Sequence, residues 1–138
     1  MNARTILITS AVLVLAIGAY FVANRGPEPT SEGIPLVAVT VPELSAAERA
    51  GEASFNAKCA SCHGINAAGQ DGVAPPLVHF IYEPGHHGDQ AFLVAVQLGV
   101  RAHHWPFGNM PPVEGITETE VASIVTYVRA LQRANGIE

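Results

Sequence analysis

The pentapeptide Cys59-Ala60-Ser61-Cys62-His63 constrains this chain more than any other feature. Two thiols separated by two residues and followed at once by an imidazole match the spacing that attaches a c-type haem. Cys59 and Cys62 are expected to hold one covalent haem through thioether bonds, with His63 beneath the iron as its proximal ligand. A chain committed to that group must build a pocket around it and supply a sixth iron ligand. A redox-active Cys-x-x-Cys pair or half of a zinc site would use the same thiols. The first wants a strand-to-helix setting, whereas the residues before Cys59 have a helical pattern. The second wants a His-x-His partner pair at defined spacing downstream.

With 138 residues, 49% of them hydrophobic, the chain fits one small domain plus an additional apolar segment. That segment lies at the front. From Thr5 to Ala23 the run TILITSAVLVLAIGAYFVA carries no charge and is bracketed by Arg4 and Arg25, long enough to cross a bilayer as one helix. A cleavable signal peptide would have a shorter apolar stretch and small residues at its cleavage site, yet Tyr20-Phe21-Val22-Ala23-Asn24 is bulky. Residues 1–25 are therefore expected to be an uncleaved anchor touching the membrane through residues 5–23. Beyond it, five basic residues stand against twelve acidic ones, a net charge of −7. This argues against nucleic acid as a partner and suits encounter with a basic redox protein.

Residues 26–43 contain Pro27, Pro29, Pro35 and Pro42 and no helical period, so they read as a linker. Within it, residues 34–41 are too apolar for a freely solvated tether and are expected to pack on the domain or on a partner. Residues 44–138 are then the haem domain. A first helix starts at Ser45, where Ser45-Ala-Ala-Glu48 forms a capping box, and Ala47, Gly51, Phe55 and Cys59 share one face. A second is expected over Gln90–Leu98, with Asp89 as N-cap and Gly99 as its stop. The third follows the capping box Thr117-Glu-Thr-Glu120 and carries the stripe Val121, Ile124, Val125, Val128 and Leu131. Arg129 and Arg133 are placed to complement its dipole. No segment alternates like a strand, so the domain is expected to be all-α with three main helices.

For the sixth ligand the sequence offers Met110, the only methionine besides the initiator, inside Gly108-Asn109-Met110-Pro111-Pro112. A thioether raises the potential of iron, and two prolines stiffen the loop that presents it. His79, His86, His87, His103 and His104 are alternative ligands by chemistry, and their pairs also suit copper or zinc. Surface or propionate-bonding roles are their default reading. Arg101 and Trp105 are expected at the haem edge, bonding a propionate.

These features together resemble the class I monohaem cytochromes c. The resemblance covers Ser45 to Gln132 and rests on Gly51-x-x-x-Phe55, the CASCH motif, Pro75-Pro76-Leu77, the Gly-x-Met-Pro-Pro loop and a terminal helix with Tyr127. It implies a small cytochrome c-like fold in which the first and last helices cross, Gly51 and Phe55 meeting Ile124, Tyr127 and Val128. It further implies that the Pro75 carbonyl accepts a bond from the His63 imidazole. Ala74 departs from the family's usual glycine.

Methionine and histidine would close both axial positions, which favours outer-sphere electron transfer and leaves no small-molecule substrate. The expectation is a non-enzymatic, membrane-tethered cytochrome c carrying single electrons between respiratory or photosynthetic partners. Haem attachment in that family occurs outside the cytoplasm, so the implied location is the bacterial inner membrane, single-pass, with the haem domain facing the periplasm. A fixed haem subunit of an oxidase or dehydrogenase is the alternative, with Leu36 to Val41 as a docking strand. A haem peroxidase or gas sensor with a labile Met110 is a further one.

Overall fold

The computed structural model describes Val14, Leu15, residues 17–20 and residues 33–138. Its first main helix, α1 (Ala46–Lys58), starts where the sequence supplies both halves of a capping box. Ser45 Oγ accepts from the Glu48 N–H at 3.3 Å while Glu48 Oε2 accepts from the Ser45 N–H at 2.8 Å. A single further turn, α2 (Ala60–His63), continues into the haem motif. Short 3₁₀ turns follow at Ile65–Ala67 and Phe80–Tyr82. Then come α3 (Asp89–Leu98) and α4 (Glu118–Ala134), the latter opened by the Thr117–Glu120 capping box. Among the described residues there is no strand, only two isolated antiparallel bridges, Gln70 with Ala74 and Val100 with Met110.

The core forms where α1 crosses α4. Phe55, Ile124, Tyr127, Val128 and Leu131 belong to one buried apolar cluster, and the Phe55 and Tyr127 rings meet at 5.6 Å with a tilt of 55°. Gly51 makes the crossing close. A Cβ there would overlap the Ser123 carbonyl oxygen and stand 2.9 Å from Tyr127 Cβ. The glycine thus rests on Ser123 and Tyr127, the backbones approaching more tightly than any side chain permits.

Two sequence expectations are corrected here. Asp89 does not cap α3; the N-cap is Gly88, without a side-chain bond, and Asp89 is the first helical residue. Its carboxylate lies 2.8 Å from Arg129 Nε instead, a charge-assisted bond that outweighs a single amide cap. Arg129 in turn is no exposed complement to the helix dipole. It is buried, 7% exposed, and faces inward beside Gln132 at 1%.

Residues 33–43 lie along the domain. The Leu36 and Val37 N–H groups donate to the Ala68 carbonyl at 3.1 and 3.2 Å, and Val39 packs on the main core. Thr40 exchanges two 2.9 Å bonds with the Asn135 side chain, N–H to Oδ1 and Nδ2 to the carbonyl. Among the described residues no helix is long and apolar enough to cross a membrane. Most of the expected span over residues 5–23 lies outside the described residues.

Replacing Gly51 by alanine should destabilise the domain by about 1–3 kcal/mol, because a backbone carbonyl in the partner helix has nowhere to retreat. Thermal denaturation of the haem-loaded protein checks this, with a fall of roughly 4–8 °C for each kcal/mol.

Candidate haem site

The haem motif is presented by the end of α1 and the single turn of α2. Cys59 N–H donates to Phe55 at 2.8 Å, and the N–H groups of Cys62 and His63 donate to the Cys59 carbonyl at 3.1 and 2.9 Å. One helical turn therefore sets Cys59, Cys62 and His63 along a cavity of about 820 Å³ that Pro75, Arg101, Trp105 and Met110 also line. Burial pushes the Cys59 thiol up to about 11, the neighbouring Cys62 adding to the shift and Lys58 opposing it. Redox-active Cys-x-x-Cys pairs have the opposite tendency, a thiolate stabilised at neutral pH.

His63 Nδ1 lies 2.9 Å from the Pro75 carbonyl oxygen. The ring proton belongs on Nδ1, which leaves the Nε2 lone pair for a metal. Burial holds the imidazole below its ordinary value, partly offset by that Pro75 bond, which favours the neutral ring. Pro75 is held over the histidine by the intervening loop: Gly69 N–H reaches the His63 carbonyl at 2.7 Å and Leu77 N–H reaches Ala67 at 2.9 Å. Ala74 sits in the bridge to Gln70 and is not among the residues with positive φ. Its backbone has no need of glycine.

Met110 belongs to the same lining. Its backbone pairs with Val100 in both directions, each N–H to carbonyl distance being 2.9 Å. The side chain packs beside the small cluster of Val96, Val121 and Val125. Gly99, at φ 73°, makes this pairing possible, since a Cβ there would stand 2.6 Å from the Met110 carbonyl oxygen. Asn109 Oδ1 further closes the loop by accepting from the Ala102 N–H at 2.9 Å.

Trp105 stacks on Phe107 at 5.9 Å and meets His79 edge-on at 5.0 Å. Its indole N–H is buried without a hydrogen-bond partner of good geometry. Tyr82 feels it nearby: burial pushes that phenol up and the indole opposes the rise. Arg101 is exposed, and its carbonyl accepts from His103 Nδ1 at 2.8 Å. Of the five other histidines, His87, His103 and His104 border the cavity, whereas His79 caps the 3₁₀ turn by accepting from the Ile81 N–H. Loss of water around His104, together with repulsion from His103, His87 and His86, disfavours its protonation.

Of two polar residues that matter to this geometry, the sequence reading took Arg129 only as a dipole complement and gave Gln132 no role. Arg129 donates to Asp89, to the Tyr82 and His87 carbonyls at 2.7 and 2.6 Å, and to Gln132 Oε1 at 2.6 Å, and it lies 5.1 Å over the Phe92 ring. Gln132 Nε2 adds bonds to the Leu77 and Tyr82 carbonyls at 2.8 and 3.0 Å. The available signal was that both polar residues extend the apolar stripe of α4 at helical spacing, after Val125 and Val128.

A covalent haem suits this arrangement. Two thiols stand at the wall, one imidazole is oriented with a free lone pair, a thioether sits on a pinned loop, and a buried N–H has no acceptor of good geometry. The family model for cytochrome c matches residues 48–132. The chain belongs to the cytochrome c family. Its cofactor is accordingly a covalently bound c-type haem with iron, and its domain is one that transfers electrons. No curated protein and no solved structure matches the chain.

Gly99→Ala should disturb Met110 without touching the haem motif. The expected result is a covalently haem-loaded protein whose ferric form has lost intensity in its near-infrared sulfur-to-iron charge-transfer band. Full retention of that band would show that the Val100–Met110 pairing does not position the thioether.

Proposed function

We propose that this chain is a class I, membrane-tethered cytochrome c that passes single electrons between redox protein complexes at the outer face of a bacterial inner membrane. The observation that carries the reading is that His63 and Met110 line one cavity, the first held by its ring bond to the Pro75 carbonyl and the second by its backbone pairing with Val100. When bound, the haem supplies a one-electron ferrous–ferric couple.

The chain's own residues do the rest. Cys59 and Cys62 would hold the porphyrin edge, and the Pro75 carbonyl keeps the His63 proton on Nδ1 so that Nε2 remains a donor in both oxidation states. Met110 would hold the iron through its thioether, and the Val100 pairing resists its displacement by small molecules. Trp105 N–H and Arg101 would serve the haem carboxylates. Electron exchange needs a thin edge near a partner. Cys62 is exposed, and Val73 and Val94, 43% and 44% exposed at the cavity rim, give that edge an apolar docking collar. These features support a carrier over an enzyme, because His63 and Met110 would both be committed to holding the iron.

The uncharged run from Thr5 to Ala23, long enough to span a bilayer, supports the tether, and haem attachment outside the cytoplasm in the family supports a periplasmic domain. Engagement of residues 36–40 with Ala68 and Asn135 of their own domain favours a shuttle over a fixed subunit docked by that strand.

Met110→Ala is the decisive variant. Haem should remain attached, the midpoint potential should fall, and the ferrous protein should bind carbon monoxide rapidly, whereas the unaltered protein binds it slowly and weakly. Rapid, tight carbon monoxide binding by the unaltered protein would replace the carrier reading with a sensor or peroxidase.

Detergent-solubilised purification of the full chain separates the remaining alternatives. A shuttle emerges from membranes alone and fully reducible. Stoichiometric copurification with another haem or flavin protein would establish a fixed subunit instead.

A further inference from the structure

We propose that His86, His87 and His104 form a second metal site, for a divalent ion of the zinc class, at the rim of the haem cavity. One nitrogen from each of the three rings lies within 4.8 Å of the other two. The site draws on two loops that are distant in sequence and is open to solvent on one side, His86 and His104 being exposed.

Distance is the first argument. A tetrahedral zinc ion with bonds of about 2.0–2.1 Å separates its nitrogen ligands by about 3.3 Å. His86 Nε2 and His104 Nε2 are 3.5 Å apart. Small side-chain rotations, available to exposed rings, bring the third nitrogen to the same spacing.

Backbone order is the second. Adjacent residues ordinarily send their side chains apart, yet the His86 and His87 N–H groups both donate to the Glu83 carbonyl, at 3.1 and 2.8 Å. That turn leaves the two rings edge-on at 4.7 Å, and each also meets His104 at 5.4 Å. The turn does not drift, because Arg129 holds the His87 carbonyl at 2.6 Å. The loop of His104 is pinned in its turn by the Ala102–Asn109 bond.

Tautomer is the third. His87 Nδ1 lies 2.6 Å from the Ile81 carbonyl and so carries the proton, which leaves Nε2 free. An imidazole oriented through its other nitrogen by a carbonyl is the usual companion of a metal ligand. Three imidazoles satisfy all but one position of a tetrahedral ion, and the last falls to water or an external donor. Zinc binding would leave the haem ligands in place and add positive charge beside the cavity, which favours the ferrous state.

The test uses the untagged, haem-loaded full chain, titrated with Zn²⁺ by calorimetry. One ion per haem, bound at micromolar concentration or tighter, is the expected result. His86→Gln and His104→Gln should each weaken binding by at least about tenfold, the lower end of losses seen even for outer partners of metal ligands. Their visible spectra should match that of the unaltered protein, which certifies the fold. Zinc should also raise the haem midpoint potential in the unaltered protein and not in either variant. Absence of stoichiometric binding, affinity unchanged in both variants, or binding that appears only once haem is removed would overturn the site. The last outcome would assign these imidazoles to the haem carboxylates.

Discussion

A buried guanidinium organises the haem side of this domain. Arg129 comes from the middle of α4, and its donors reach an aspartate at the start of α3 and two carbonyls in the loop of residues 82–87. That loop has little regular structure and few apolar residues with which to hold itself down. Its position is set by charge-assisted bonds to one side chain, with Gln132 bonding the Tyr82 carbonyl beside it. Removing one partner from such a network leaves other buried polar groups unsatisfied, which is costlier than the loss of any single bond. The cavity wall at Tyr82 and His87, and the histidine turn with it, therefore depend on a residue that touches no haem ligand.

Three helices and a short motif were legible in the sequence because each rests on local chemistry, α3 ending at the expected Gly99. The Ser45 and Thr117 capping boxes sit where their side chains and backbone amides reciprocate, and the α1 and α4 stripes follow the helical period. The CASCH pentapeptide and the Gly-x-Met-Pro-Pro loop carried the site for the same reason, since spacing within a few residues dictates their geometry. Less of the loops could be read. Asp89 has the composition of an N-cap and was taken from that role by an arginine forty residues away. Arg129 has the composition of an exposed helix end, and only its spacing after Val125 hinted that it points inward.

Long-range pairing was the least legible layer. The Val100–Met110 bridge spans ten residues of loop and leaves no pattern beyond the glycine that permits it. Convergence of His86 with His87 ran against the ordinary divergence of neighbours, and the turn onto Glu83 that causes it is invisible in composition. Sequence reasoning supplies the ligand types in such places, and the turns decide which of them meet.

The strap of residues 36–40 gives the domain a mechanical property. A pull from the N-terminal side is met first by the Asp71 N–H bond to the Ile34 carbonyl, then by the Leu36 and Val37 bonds to Ala68 and the two-way pairing of Thr40 with Asn135. These bonds share the load across the loop after the haem motif and the last turn of α4, well before tension reaches the core. Such a pull would peel a strip of backbone and lengthen the segment ahead of α1, leaving the redox centre undistorted, so the strap acts as a strain relief for the rigid domain behind it.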